Sequence, residues 1–370
     1  MTGKFEIRPL EKCIEKVKYT TKVASQDFKE SGRYPIISQE EAFISGYWDI
    51  PEDVFHIIKP VVIFGDHSRH LKYVDFDFVI GADGVKILSP VEDINAKYFY
   101  YYLKWLDIPS LGYSRHFKSL KEKKVKVFPF EDQKRIVDEL DLLTSIIDKK
   151  NAQLRDLDAL AQSIFYEMFG DPYTNIHNWP TAFLESMVTE GCSISYGIVQ
   201  PGDGEVNGVP IVRPVDLLGT FVHNKSLKKT TKEISDSYKR TILKGNELLL
   251  CVRGTTGIVS LAADDLAGCN VSRGITPLEF NNENSRWFMY YQFKTAAVQG
   301  TISELTHGIA LKGINMADVR KLAMIQPPYH LQKEFEDKVR SIDAQKGRII
   351  ASLQDLNSLL QSKMDGYFSE

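Results

Sequence analysis

Residues 129–169 read PFEDQKRIVDELDLLTSIIDKKNAQLRDLDALAQSIFYEMF, and residues 328–368 read PYHLQKEFEDKVRSIDAQKGRIIASLQDLNSLLQSKMDGYF. Laid over each other without a gap, they share twelve identities in 41 positions, where about two are expected by chance. The identical pairs are Pro129/Pro328, Gln133/Gln332, Lys134/Lys333, Asp138/Asp337, Ala152/Ala351, Leu154/Leu353, Asp156/Asp355, Leu157/Leu356, Leu160/Leu359, Gln162/Gln361, Ser163/Ser362 and Phe169/Phe368. The match predicts two copies of one element of fixed length.

In both copies the apolar residues recur every three or four positions, which is typical of one face of an α-helix. The first stripe comprises Ile136, Leu140, Leu143, Ile147, Leu154, Leu157, Ala161, Ile164 and Met168, and the second comprises Phe335, Val339, Ile342, Ile349, Leu353, Leu356, Leu360, Met364 and Tyr367. Each stretch begins with a proline, which suits a helix start, and Gly170-Asp171-Pro172 predicts where the first helix ends. A helix of roughly 38 residues is about 57 Å long.

Two equal stripes in one chain predict an antiparallel coiled coil, in which Asn151 and Lys346 are polar breaks that help to fix the register. The alternative is that each helix only completes the core of its own globular domain.

Upstream of each helix the repeat is weaker and its spacing changes. Tyr34–Ile37 resembles Val209–Val212 at a lag of 175 residues, and residues 97–102 resemble 286–291 at a lag of 189, whereas the helices match at 199. The helices have therefore kept their length while the globular parts have drifted. We call these parts head 1 (residues 1–127) and head 2 (residues 171–326), with helical segments at 128–170 and 327–370.

Short apolar runs followed by turn formers predict a strand and its turn within 61–66 and within 78–84, and a strand at 247–252 before a turn at 253–257; short helices are expected near 95–106 and 285–297. The predicted fold class is therefore α+β: two mixed α/β heads, each followed by a long helix, with the two helices paired as an antiparallel coiled coil.

Composition predicts a soluble cytoplasmic protein. The N-terminus lacks the apolar segment of a signal peptide, and no stretch approaches the roughly 18 apolar residues of a membrane span. The four cysteines are too sparse for a disulfide framework. A net charge of −3 does not favour nucleic-acid binding, but residues 129–170 hold 9 Asp+Glu against 5 Lys+Arg, whereas head 2 has 15 of each. The excess acidity therefore lies outside the heads.

Polar, basic and small residues cluster in predicted turns of both heads. Such residues contact base edges and phosphates in protein–DNA complexes. In head 1 the candidates are Ser38, Gln39, His67, Ser68, Arg69, Arg115, His116 and Lys118. In head 2 they are Arg213, Arg253, Thr255, Thr256, Ser272, Arg273, His307 and Lys312.

A catalytic site is not expected. Gln326-Pro327-Pro328-Tyr329 is similar to a motif of amino-methyltransferases, but it lies at the junction between head 2 and its helix and no cofactor-binding glycine-rich turn accompanies it. There is no P-loop, and His67 and His70 lack the further ligands of a metal site.

A variable head followed by a Pro-x-x-x-Gln helix, repeated once, resembles the specificity subunit of Type I restriction–modification enzymes. The resemblance rests on Tyr34–Ile37 and residues 209–213, on the junctions 129–133 and 328–332, and on the helices, and it covers essentially the whole chain. Head 1 departs from the pattern, since Ser38 stands where head 2 has Arg213.

The resemblance implies that each head reads half of a split sequence in double-stranded DNA and that the coiled coil sets the spacer. It further implies two modification (methyltransferase) subunits and restriction/translocase subunits as partners, with no membrane involved. S-adenosylmethionine, ATP and Mg are then expected on those partners and no cofactor on this chain. Three alternatives remain: a duplicated scaffold that binds only protein partners, a subunit serving a methyltransferase alone, and a catalytic protein.

Overall fold

The computed structural model describes residues 4–110, 112, 114–202, 204–205, 207–308 and 312–369. The chain forms two compact units: unit 1 comprises Met1–Asn151 and Ala351–Glu370, and unit 2 comprises Ala152–Ile350. Each unit therefore contains one head together with half of each long helix.

Unit 1 is a mixed α/β structure. Its strands are β1 (Glu6–Pro9), β2 (Ile14–Glu15), β3 (Lys22–Val23), β4 (Tyr34–Ile37), β5 (Gly46–Trp48), β6 (Val54–Phe55), β7 (Val61–Gly65), β8 (Leu71–Val74), β9 (Phe78–Gly81), β10 (Val85–Pro90) and β11 (Lys124–Val127). Its helices are α1 (Ala96–Trp105), α2 (Phe117–Lys121) and the first half of α3 (Phe130–Phe169).

Unit 2 is also a mixed α/β structure. Its strands are β12 (Thr181–Phe183), β13 (Val209–Val212), β14 (Phe221–Val222), β15 (Lys228–Thr230), β16 (Leu248–Cys251), β17 (Val259–Ala262), β18 (Asn270–Val271), β19 (Ile275–Leu278) and β20 (Ala323–Ile325). Its helices are the second half of α3, then α4 (Leu184–Met187), α5 (Lys232–Ser237), α6 (Arg286–Phe293), α7 (Ala296–Glu304), α8 (Met316–Arg320) and the first half of α9 (Tyr329–Phe368).

Part of the strand pairing is the same in the two heads. In head 1 the order β2-β10-β7-β8 is antiparallel, and in head 2 the order β19-β16-β17 matches β10-β7-β8. In each head a proline-containing strand, β4 or β13, pairs parallel with one neighbour and antiparallel with the other. The central strands are apolar throughout and fully buried, as expected for strands covered on both faces. Loops at equivalent strand ends can therefore be compared directly.

The repeated glutamines have one structural role in both units. Gln133 is fully buried; its Oε1 accepts from the backbone N–H of Asn95 (2.8 Å) and its Nε2 donates to the carbonyls of Asp93 (2.9 Å) and Phe128 (2.8 Å). Gln332 makes the same set of bonds, with the N–H of Ser285 and the carbonyls of Glu283 and Pro327. Each amide thus joins the start of a long helix to the start of a short one.

This contact corrects the sequence alignment of the short helices. Asn95 and Ser285 are the N-caps of α1 and α6, and each caps its own helix with its side chain. The two caps are separated by 190 residues rather than the 189 of the sequence match. The predicted single helix at 285–297 is also wrong, because α6 ends at Phe293 and Thr295 caps a second helix, α7.

In unit 1 the end of α9 closes the core of head 1. The ring of Phe368 contacts those of Tyr102 and Tyr98 on α1, at centroid distances of 5.1 and 5.6 Å. On the same pair of helices, Glu139 of α3 accepts hydrogen bonds from Lys363 (2.5 Å) and from Tyr367.

In unit 2 the end of α3 closes the core of head 2. Phe169 contacts Phe288 of α6 at 4.8 Å and Phe335 of α9 at 5.6 Å. Lys346 donates to Asp158 (2.6 Å) and to Thr220 of the head (3.3 Å).

The helix halves run antiparallel in this unit, because Met168 lies beside Lys338 whereas Asp158, earlier on α3, lies beside Lys346, later on α9. The predicted helices, their proline starts and their antiparallel pairing are therefore confirmed. The alternative that each helix serves only its own head is wrong, since each also ends in the core of the other.

Within the described part of the chain, no helix is long and apolar enough to span a membrane.

Candidate nucleic-acid interface

In head 1 the loop after β4 meets the turn after β7. The amide N–H of His67 donates to Oε1 of Gln39 (3.1 Å), and Oγ of Ser68 donates to the Gln39 carbonyl (2.5 Å). A Cβ at Gly65 would lie 2.2 Å from Oγ of Ser68, so a side chain there would displace this hydroxyl from its bond to Gln39. Residues predicted separately, 28 positions apart in the chain, are thus brought together.

Asp66 attaches a third segment, around Arg115 and His116, to the same place. Its carbonyl accepts from the backbone N–H (2.8 Å) and from Nδ1 (3.0 Å) of His116, and its Oδ1 accepts from the N–H of Phe117 (2.8 Å). The carboxylate is buried and lies 3.5 Å from the amine of Lys86. Asp66 therefore organises this cluster, a role that the sequence did not indicate.

In head 2 four loops are joined by backbone hydrogen bonds at the ends of equivalent strands. The N–H of Ser272 donates to the carbonyl of Val212, and that of Val252 donates to Gly274. The N–H of Gly254 donates to the carbonyl of Lys312, and residues 307 and 313 bond each other in both directions. All eight predicted residues of head 2 thus belong to one continuous cluster, although residues 309–311 lie outside the described part of the chain.

The side chains of the head 2 cluster are held in defined positions. The guanidinium of Arg253 lies 4.9 Å from the ring centroid of Tyr196, and Thr256 shares a hydrogen bond with Thr306 (3.0 Å). Arg213 is paired with Asp216 through two bonds, of 3.1 and 3.0 Å, and these raise the pKa of the guanidinium. In each of these three pairs one residue, Tyr196, Thr306 or Asp216, was not predicted from the sequence.

The equivalent strands of the two heads show which loops of the head 1 cluster correspond to loops of the head 2 cluster. The turn after β7 matches the turn after β16, and the segment before α2 matches the segment before α8. Residues 82–84, between β9 and β10, match 272–274, between β18 and β19. Residues 82–84 were not among the predicted candidates, because Asp83 stands where head 2 has Arg273 and no basic residue marks the turn.

The predicted residues differ in solvent exposure. The exposed residues are Arg69, Arg115, Lys118, Thr255, His307 and Lys312. The half-buried residues are Gln39, His67, Ser68, Arg213, Arg253, Thr256, Ser272 and Arg273. Ser38 and His116 are buried.

The heads differ in charge in the segments that begin at β4 and β13. Residues 34–58 of head 1 contain five acidic residues and no Lys or Arg, whereas residues 209–242 of head 2 contain seven basic and three acidic residues. The exposed members in head 2 include Lys225, Lys228, Lys239 and Arg240. Lys228 lies opposite Ile211 on the strand pair that leads to Arg213. We call these four exposed side chains the basic ridge.

The long helices expose apolar side chains at repeated positions. Leu160 and Leu359 are 49% and 44% exposed, and the first helical residues, Phe130 and Tyr329, are 39% and 45% exposed. Because both members of each pair are exposed, each unit presents one leucine and one aromatic ring from equivalent places in the repeat.

Within the described residues, no three His, Cys, Asp or Glu side chains are grouped so that they could hold a metal ion.

Comparison with known proteins identifies the family. The profile described as "Type I restriction modification DNA specificity domain" matches twice, at residues 3–156 and 202–355. The specificity subunit of the Type I restriction enzyme EcoBI from Escherichia coli is 21% identical over 352 residues, 86% of this chain and 73% of that protein. The EcoR124I/EcoR124II specificity subunit, also from E. coli, is 32% identical over 98 residues, 25% of this chain and 24% of its own.

Solved structures agree on the fold. The S subunit of a Type I restriction–modification system from M. genitalium superposes with a TM-score of 0.57 at 12% identity, over 100% of this chain and 97% of that one. A second chain, from a study of complex assembly in the Type I system, gives 0.50 at 14% identity, over 99% and 97%. The two heads, their DNA specificity profiles and the helices define a DNA sequence-recognition subunit. The chain belongs to the family of Type I restriction–modification specificity subunits, which counts against a scaffold that binds only proteins.

Proposed function

We propose that each head reads one half of a split sequence in double-stranded DNA through its loop cluster. The observation that carries the proposal is the duplication: equivalent strand ends form a cluster of polar and basic loops in both units, although the loop sequences differ. A common scaffold with different loops suits two readers of different half-sequences.

The side chains of head 2 supply the chemistry of base and phosphate contact. Arginine forms paired hydrogen bonds with the major-groove edge of guanine, and threonine hydroxyls and loop N–H groups bind phosphate. Arg253 is held against the ring of Tyr196 and Arg273 is half-buried, while Thr255 and Lys312 are exposed. The basic ridge then provides a sequence-independent grip on the backbone.

The long helices fit the role of a frame that sets the spacer between the half-sites. Half-site spacing follows from protein geometry in DNA-binding assemblies generally. Gln133 and Gln332 fix each helix start to its head, so helix length is transmitted to the reading loops of each unit.

The repeated exposed residues, the pair Leu160 and Leu359 and the pair Phe130 and Tyr329, are proposed to take part in docking two copies of one partner, the modification subunit. Two equivalent apolar sites in one chain are best explained by two identical occupants, since unequal partners would not maintain the same exposed residues at both.

In this proposal the chain contributes recognition and no catalysis, and it works in the cytoplasm, where its DNA lies. The modification subunits bring S-adenosylmethionine, and restriction subunits bring ATP and Mg. A system in which the chain serves a methyltransferase alone is distinguished by whether DNA cleavage accompanies methylation.

The test is methylation mapping of a genome in cells that express the chain with its modification subunit. We expect a two-part methylated sequence that disappears when the chain is omitted. Arg253→Ala should relax one or more base positions in one half only, whereas Lys321→Ala, at an exposed site after α8, should change nothing. A one-part sequence, or methylation independent of this chain, would refute the proposal.

A further inference from the structure

Lys72 of β8 is a buried lysine whose hydrogen bonds all go to one loop. Its side chain is 4% exposed, and its amine donates to the carbonyls of Ser38 (3.0 Å), Ala42 (2.5 Å) and Phe43 (3.4 Å). These three residues lie in the loop between β4 and β5. Across the described salt bridges, no carboxylate is paired with this amine.

Burying a lysine in the interior of a sheet costs free energy. A buried ammonium loses its hydration and is tolerated only where hydrogen bonds replace the lost water. Burial lowers the pKa of Lys72 to about 8, with a small opposing effect of Glu40. An apolar residue would fill the same space without this cost, so stability alone does not account for lysine here.

Head 2 has a polar donor at the equivalent strand position. Lys72 lies opposite Ile63 in the β7–β8 pair, and Ser260 lies opposite Leu249 in the matching β16–β17 pair. Ser260 is fully buried, and its Oγ donates to the carbonyl of Gly219 (2.7 Å). Gly219 belongs to the loop after β13, which corresponds to the loop after β4 that Lys72 holds.

The two loops that are held in this way both begin with predicted DNA-contacting residues. The first begins with Ser38 and Gln39, and Gln39 bonds the turn of His67 and Ser68. The second begins with Arg213, and its Pro214 lies against Gly274 in the neighbouring turn. Fixing either loop therefore fixes one wall of a loop cluster.

We propose that Lys72 and Ser260 are positioning residues for sequence readout, which fix the loops after β4 and β13 without touching DNA. The inference rests on the proposed function. The two residues occupy the same strand position in their heads, but their side chains differ in length. The lysine amine donates to three carbonyls, and the serine hydroxyl donates to one. The same scaffold thereby supports two differently shaped reading loops.

The experiment is methylation mapping with the full chain and its modification subunit, using Lys72→Met and Ser260→Ala. Each variant should reduce discrimination about tenfold at one or more positions of a single half-sequence. Lys72→Met should affect the half read by head 1 and Ser260→Ala the other half, with the spacer unchanged. The matched controls are Lys59→Met, which removes a surface ion pair with Glu15 in head 1, and Ser186→Ala, an exposed hydroxyl in head 2.

A merely structural role would lower the amount of folded complex and the extent of methylation while leaving both half-sequences as they were, and that result overturns the inference. If Lys72→Met does not fold, Ser260→Ala decides alone, because it removes one hydroxyl and leaves the core filled. Failure of the proposed function is distinct, since the unaltered chain would then give no two-part sequence.

Discussion

Replacing Gln332 with leucine tests the joint between head 2 and its long helix. The leucine has nearly the same volume but bonds neither the N–H of Ser285 nor the carbonyls of Glu283 and Pro327. The site is fully buried, so water does not replace the lost partners. An unpaired buried polar group costs about 1–3 kcal/mol, and the new apolar surface offsets part of this. We expect Gln332→Leu to lower the free energy of unfolding by about 2–4 kcal/mol.

Urea unfolding measures the change in the free energy of unfolding, and hydrogen exchange shows which unit loses stability. Protection should fall in unit 2 for Gln332→Leu and in unit 1 for Gln133→Leu. Gln361→Leu is the control, because Gln361 is also identical in the repeat but is exposed and bonds only Asp365 of its own helix; its effect should stay below about 0.5 kcal/mol. If Gln332→Leu matched this control, the joint would not depend on the amide.

Three further predictions concern charge and docking. Replacing Lys228 and Lys239 of the basic ridge with glutamine should weaken binding to all DNA sequences and reduce the slope of log K against log salt by about 2, measured by titration of the complex; an unchanged slope would show that the ridge does not contact phosphate. The pKa of Lys72 is about 8 in the folded state and near 10.5 in the unfolded state. Between these pH values the folded state therefore binds fewer protons than the unfolded state. The stability of the protein relative to Lys72→Met should therefore rise from pH 8 to about pH 10 in urea unfolding, and a flat difference would show that folding does not lower the pKa of Lys72. Leu160→Glu should leave one modification subunit bound where two bind otherwise, by native mass spectrometry, whereas Gln153→Glu on the same helix should keep both.

The sequence predicted the parts of the fold that depend on the spacing of apolar residues and on residues that begin or end helices. The long helices follow from stripes of regular spacing, and Pro129, Pro328 and Gly170 mark ends that the structure has within a residue. Repetition at a fixed lag showed that the helices were alike, and the apolar runs located β7 and β16. These signals are local, so one chain was enough to find them.

Contacts between distant segments could not be predicted in the same way. Gln133 was visible as an identity, but its role depends on Asn95 being 38 residues away in sequence and adjacent in space. Lys72 resembles a surface lysine until the carbonyls of the β4–β5 loop are placed around it.

In the candidate interface, composition found the basic and hydroxyl-bearing turns, but not the residues that hold them. Asp66 and Tyr196 act through neighbours brought in by tertiary structure. Residues 82–84 carry no basic side chain, and only strand correspondence identifies their turn as part of the cluster.

The central claim is that two heads read separate half-sequences at a distance set by the helices. The boundary between the units falls after Asn151 on one helix and after Ile350 on the other, so both helices can be lengthened there without entering either head. Seven residues inserted at each place add about 10 Å, or about three base pairs of DNA. Methylation mapping should then show both half-sequences unchanged and a spacer about three base pairs longer. An unchanged spacer, or altered half-sequences with methylation retained, would contradict the claim.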